Sequence, residues 1–377
     1  MPRFVYLLIF LTFGLSAGAA RAADFETNAT HAIIIEAESG RVLYGKQIDD
    51  PIPTASMSKM VTVYMLMEEL AKGTLTEDDT FTVSEKAWRK GGSKMFVELG
   101  KQIRVGDLLR GIVVQSGNDA SIVVAEGLAG TEEAFAEKMN ERARELGLTD
   151  TLLKNATGWP DPEHRMSVHD LARIARLTIL NFPQYYPIYA EKSFTYHDIK
   201  QGNRNPVLYK FAGADGLKTG HTEEAGYGLT ASAERDGHRL IAVIAGLESS
   251  RVRATESVRL LQWAFRTFRN HRLLSEGEVL DKAEVWLGES THVPLVAGED
   301  VNFTMDAESR KGMTAHLVYE GPVPAPIRKG EKIAELVIRV PDADPLRVPM
   351  LAGADVGKLG ITGRIAAALG YLIFGGS

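Results

Sequence analysis

The spacing of apolar and polar residues divides the chain into stretches of different period. Ala32 to Glu36 is an aliphatic run that Ala37-Glu38-Ser39-Gly40 turns into Val42 to Tyr44, the pattern of a β-hairpin. Pro51-Ile52-Pro53 stops that strand. Met57 to Lys72 is then an almost wholly apolar helix closed by Gly73, which predicts burial on most sides. Helical spacing continues over Ile103 to Gly130 and over Thr131 to Leu148, where Glu132 and Glu133 in the first turn complement the helix dipole. Asn155 to Met166 holds Gly158, Pro160 and Pro162 and reads as a loop, followed by a helix from Ser167 to Leu180. Tyr227 to Glu234 and Arg239 to Leu247 flank Asp236-Gly237, a dipeptide suited to the positive φ angles of a tight turn, so two antiparallel strands are expected. Glu256 to Arg269 closes this part as an amphipathic helix.

From about Leu273 the pattern changes to short strands punctuated by Gly and Pro. The expected organisation is α+β, an antiparallel sheet packed with a helical cluster over residues 23–269, then a small all-β domain over 270–350 and a tail over 351–377. Residues 1–22 read as a secretory leader: Arg3, an apolar run from Val5 to Leu15, and the small-x-small site Ala20-Arg21-Ala22 before Ala23. That run is too short for the ~20 residues of a membrane span. The chain carries a formal net charge of -6 and offers no basic field for nucleic acid. It has no cysteine, which removes disulfides, thiolate metal sites and a cysteine nucleophile together.

Three short motifs carry the candidate chemistry. Ser56-Met57-Ser58-Lys59 stands at the mouth of the apolar helix, where residues i and i+3 share a face, so the Lys59 amine can reach the Ser56 hydroxyl as its base. A helix start also supplies unpaired backbone donors that suit a developing oxyanion. SxxK alone is weak, since about one is expected by chance in a chain of this length. The competing reading is that Ser56 or Ser58 caps the helix. Ser116-Gly117-Asn118 falls in a break after Ile112 to Val114 and could be an ordinary turn; Lys218-Thr219-Gly220 precedes the hairpin, and Lys218 could be a solvated surface lysine. The order SxxK, SxN, KTG on a helix, a loop and a strand is the set shared by penicillin-binding proteins and class A β-lactamases.

With these residues the chain resembles the D-alanyl-D-alanine carboxypeptidase family, the low-molecular-mass penicillin-binding proteins of the PBP5 type (serine peptidase family S11). The likeness extends through Gln115-Ser116-Gly117-Asn118-Asp119-Ala120, Leu217-Lys218-Thr219-Gly220-His221-Thr222 with Ala225-Gly226-Tyr227, and Glu256-Ser257 near Arg253. It implies a penicillin-binding, β-lactamase-like transpeptidase domain followed by a small β domain. It further implies Ser56 as the acylated nucleophile, Lys59 as its base, Ser116 as proton relay and Asn118 as holder of the substrate amide. Lys218 and Thr219 are then the anchors of the substrate's terminal carboxylate, with Arg253 a third. Burial and the positive Lys218 would lower the pKa of Lys59. The implied oxyanion hole uses the backbone N–H groups of Ser56 and His221, and Gly220 would let the strand approach the substrate. The implied substrates are peptidoglycan stem peptides ending in D-Ala-D-Ala, with β-lactams as covalent inhibitors and no cofactor.

A metal is not expected: His164 and His169 are five apart, off a common helical face, and there is no HExxH. His221 reads equally as structural or functional. Gly91 to Phe96 resembles a loop bordering the family's site, or is simple surface linkage. A β-lactamase needs an efficient deacylating base, and Asp161-Pro162-Glu163-His164 offers Glu163 without the class A Glu-x-x-x-Asn arrangement. A third reading is a peptidoglycan-binding scaffold with a vestigial site. In the tail, Ile361, Ile365, Leu369 and Leu372 recur at helical spacing from Lys358 to Phe374, which suits a helix lying in a membrane interface or one docked on the domain. The expected location is the periplasmic face of a bacterial inner membrane, peripherally attached.

Overall fold

The computed structural model describes residues 3–9, 25–341 and 343–363. The chain forms two compact units, one spanning Phe25–Arg266 and the other taking in Thr267 onward with the N-terminal residues.

In the larger unit the predicted hairpins become one five-stranded sheet. Its spatial order is Ala214–Thr222, Gly226–Arg235, His238–Leu247, His31–Glu36, Val42–Lys46, every neighbour antiparallel. Asp236 and Gly237 both take positive φ, 51° and 73°, so the turn chemistry sets the register of the central pair. The apolar helix runs over Lys59–Lys72 after a 3-10 turn at Ala55–Ser58 and ends at left-handed Gly73. It packs against helices Val105–Val113, Asn118–Ala129 and Val168–Asn181, and the last of these lies on strands His238–Leu247 and His31–Glu36. One continuous core results, with Met60, Tyr64, Leu108, Ile122, Phe135, Ile174 and Ile241 all buried within it.

Two helical expectations shift. Ile103 does not begin a helix, because Gln102–Arg104 pairs as a strand with Thr80–Thr82; Val105–Val113 and Asn118–Ala129 are separate helices with the Ser116 motif in the gap. The closing helix spans Ser250–Thr267 and starts ahead of Glu256, since Ser249 accepts from Val252 N through its hydroxyl and from Arg253 N through its carbonyl. It stops before Arg269 because Arg269–Leu274 pairs with Val301–Met305.

The smaller unit is a seven-stranded sheet over a core of Val293, Leu295, Leu317, Leu336, Ile338 and Met350, with one short helix at Ala307–Lys311 capped by Asp306. Of the leader, Arg3–Ile9 runs antiparallel to Thr314–Gly321 as the edge strand of this sheet; residues 10–22 lie outside the described residues. Residues 364–377, most of the expected amphipathic helix, also lie outside them. Among the described residues no helix is long and apolar enough to cross a membrane.

Candidate active site

The 3-10 turn that precedes the buried helix presents Ser56, which is half-buried and open to the cleft, while Lys59 one turn on is fully buried. Lys59 Nζ lies 2.8 Å from Ser56 Oγ, donates to Asn118 Oδ1 at 2.7 Å, and also donates to the backbone carbonyl of Thr157. Burial, then repulsion from Arg204, lowers the Lys59 pKa to about 7. Arg204 adds a repulsion that the sequence did not point to, beside the mutual repulsion of Lys59 and Lys218. Lys218 is itself pushed well below its usual value, by burial first and then by Lys59, Arg204 and Arg253.

The turn is held from behind by polar groups. Ala55 sits at φ 49°, and its carbonyl accepts from Ser58 Oγ at 3.0 Å. His164 Nδ1 accepts from Lys154 N at 3.1 Å, so the neutral ring carries its proton on Nε2, 2.9 Å from Ser58 Oγ. Ser58 thus anchors the turn through the buried His164. Among the described residues no cluster of His, Cys, Asp or Glu could hold a metal.

The other motifs converge on the same place. Lys218 Nζ lies on strand Ala214–Thr222 and donates to Ser116 Oγ at 2.8 Å and to Thr219 O at 3.1 Å. Asn118 begins its helix with Nδ2 donating to Gly91 O at 2.9 Å. A cleft of about 280 Å³ is lined by Ser56, Ser93, Ser116, Arg204, Thr219, Gly220, His221, Tyr227 and Arg253. Arg253 is buried beside Tyr227, its guanidinium carbon 5.6 Å from the ring centroid, and His221 stacks on the same ring at 3.8 Å. Among the described residues Arg204, Lys218 and Arg253 take part in no ion pair, and no carboxylate lines the cleft, so its field is positive. Such a pocket suits an anionic chain end.

Gly220 lines the cleft and has a role on the nucleophile turn as well. A Cβ there would lie 2.5 Å from Thr54 O and 3.3 Å from Met57 N, so the bare glycine lets the strand close on the turn that carries Ser56. The Gly91 to Phe96 segment does border the site: Ser93 lines the cleft and accepts from Arg204 Nη1 at 2.5 Å. Arg204 and Thr157 had no sequence signal, because each arrives from a loop outside the three motifs. Glu163 turns away to Lys154, with which it pairs at 3.1 Å.

A serine whose neighbour is a near-neutral lysine, facing a cationic strand across an antiparallel sheet edge, defines a serine hydrolase of the penicillin-recognising class. A family model described as D-alanyl-D-alanine carboxypeptidase matches residues 17–249, and one described as penicillin-binding protein 5, C-terminal domain, matches residues 268–358. The chain is 34% identical over 363 residues to D-alanyl-D-alanine carboxypeptidase DacF of Bacillus subtilis, covering 94% of this chain and 93% of that one. It is 33% identical over 348 residues to DacA of Escherichia coli K12, covering 90% and 86%. Among solved structures it is similar to penicillin binding protein 5 from Haemophilus influenzae, with 34% identity, a TM-score of 0.76 and coverage of 92% and 100%. A further likeness is to penicillin-binding protein D2 from Listeria monocytogenes in the ampicillin-bound form, with 26% identity, a TM-score of 0.58 and coverage of 63% and 98%. The chain belongs to the D-alanyl-D-alanine carboxypeptidase family.

Proposed function

We propose that this protein removes the terminal D-alanine from peptidoglycan stem peptides through an acyl-enzyme on Ser56, and that β-lactams acylate the same hydroxyl. The observation that carries this reading is the Lys59 amine, 2.8 Å from Ser56 Oγ with a pKa near 7. In its neutral form Lys59 keeps two N–H donors for Asn118 Oδ1 and Thr157 O and turns its lone pair to the serine proton. Ser56 Oγ then attacks the carbonyl carbon of the penultimate residue as Lys59 takes the hydroxyl proton. The backbone N–H groups of Ser56 and His221 receive the oxyanion, each such donor contributing about 3 kcal/mol in the transition state.

Because Lys218 already donates to Ser116 Oγ, the Ser116 proton is left for the departing amine nitrogen, and the C–N bond breaks with that nitrogen protonated. Thr219, Lys218 and Arg253 hold the leaving residue's carboxylate, which makes the enzyme an exopeptidase. Lys59 returns its proton to Ser116 as the leaving residue departs and is neutral again; it then takes a proton from the water that attacks the ester and passes it to Ser56 Oγ as that oxygen is released. The direct test is D-alanine release from a peptide ending in D-Ala-D-Ala. Release is expected from the wild type and not from Ser56→Ala, and a carboxy-amidated peptide is expected to be a poor substrate. Equal release by both enzymes overturns the reading.

We also infer export to the periplasmic face of the inner membrane, with the Lys358 to Phe374 segment lying in the bilayer surface. The leader pattern of residues 1–22 and the apolar spacing of the tail support this. Cleavage before Ala23 would take away the Arg3–Ile9 strand and free the Thr314–Gly321 edge.

A further inference from the structure

Asp119 follows Asn118 directly and is fully buried without forming an ion pair among the described residues. Its carboxylate accepts instead from four backbone N–H groups: Met95 at 2.8 Å, Phe96 at 2.8 Å, Val97 at 3.2 Å and Ala120 at 2.9 Å. Three of these belong to the Gly91 to Phe96 segment and its continuation. A buried carboxylate spent on one loop, with no cation at ion-pair distance among the described residues, is costly unless the loop's position matters.

That loop touches the reacting groups at both ends of the cleft. Gly91 O accepts from Asn118 Nδ2 and Ser93 O from Asn118 N at 2.8 Å, while Ser93 Oγ accepts from Arg204. The bond to Gly91 O decides which way the Asn118 amide faces. With Nδ2 held there, Oδ1 must face Lys59 Nζ; a flipped amide would turn its NH2 against the amine and leave Lys59 one acceptor short. Gly117 lets this packing close, because a Cβ there would lie 2.9 Å from Asp119 Oδ1 and 3.2 Å from Met95 N.

We propose that Asp119 is a positioning residue for acylation: it pins the 91–97 loop so that Gly91 O orients the Asn118 amide toward Lys59. The inference rests on the reading of Lys59 as the base of Ser56. Asp119→Asn keeps the volume but replaces half the acceptors with donors that face N–H groups, so the loop detaches locally.

The experiment measures the second-order rate of labelling of the full chain by a fluorescent penicillin, for Asp119→Asn, Asn118→Ala and the double variant. The expected loss for Asp119→Asn is about 10²-fold, the scale of an ångström misplacement. The double variant is expected to be no slower than Asn118→Ala, because Asp119 acts through that amide. A wild-type rate in folded Asp119→Asn, or losses that multiply in the double variant as a merely structural defect would, overturns the inference. Should Asp119→Asn fail to fold, Asp119→Glu carries the same cycle, since a carboxylate one methylene longer cannot sit on all four N–H groups. Its loss must again vanish in the Asn118→Ala background, and no loss, or a multiplicative one, overturns the inference. A wild-type chain that takes no label at Ser56 would instead overturn the acylation reading.

Discussion

Lys59 shows how one buried amine can be both required and destabilising. Its pKa of about 7 against 10.5 in the unfolded chain means that folding releases a proton across that window, so this group's contribution to stability rises with pH between those values. The catalytic consequence has the same sign: acylation is expected to rise with pH through about 7 as the amine becomes neutral, read from the pH dependence of penicillin labelling. A profile flat for about two units either side of neutrality would contradict a lysine base. Lys59→Arg, which cannot deprotonate, is expected to lose about 10³-fold in labelling rate, in the range for removing a general base. His164 works in the opposite direction to a ligand. Burial lowers its pKa to about 4, so it stays neutral and its share of stability is present above about 6.5 and is lost as pH falls toward 4. His164→Ala leaves Ser58 and the Lys154 N–H without their partner, an expected loss of about 1–3 kcal/mol measured by denaturant unfolding.

At the scale of elements the site is a meeting of a turn, a loop and a strand, and both loop and strand close tightly on the turn. Gly220 is the condition for the strand's approach, because a methyl group there must displace the Thr54 carbonyl of the turn that carries Ser56. Gly220→Ala is therefore expected to cost about 1–3 kcal/mol by overpacking and to slow labelling, both read on one purified preparation. A variant that labels and unfolds like wild type would show that strand and turn can part without consequence. The same logic explains Gly158, at φ 70°, whose position against Ala55 O excludes any side chain. These glycines are packing devices of the nucleophile turn.

For the whole molecule, the cleft's chemistry is set by which charges are left out of it. Glu163 of the 155–166 loop is spent on Lys154, and no carboxylate lines the cleft to activate water for a penicilloyl ester. The penicilloyl adduct is expected to persist after labelling, followed by intact mass over time; rapid loss would favour the β-lactamase reading. The tail belongs to this scale as well. Deleting residues 359–377 is expected to abolish sedimentation with anionic vesicles while leaving penicillin labelling intact, because the proposed membrane segment lies outside the unit that carries Ser56.

The local rules of the chain determined the elements, since hairpin turns, caps and apolar spacing act over a few residues and are written consecutively. Asp236-Gly237, the Met57 to Lys72 run and the helix expected from Ser167 to Leu180 were legible for that reason. The SxxK pair was legible too, because i and i+3 on a helix are neighbours whatever the rest of the chain does. Tertiary structure alone decided what surrounds that pair. Thr157 O, Gly91 O and Arg204 reach the site from loops with no period, and Arg204, which repels Lys59, is far away in sequence. Proximity across a fold is set by the summed packing of the core, which no local pattern encodes.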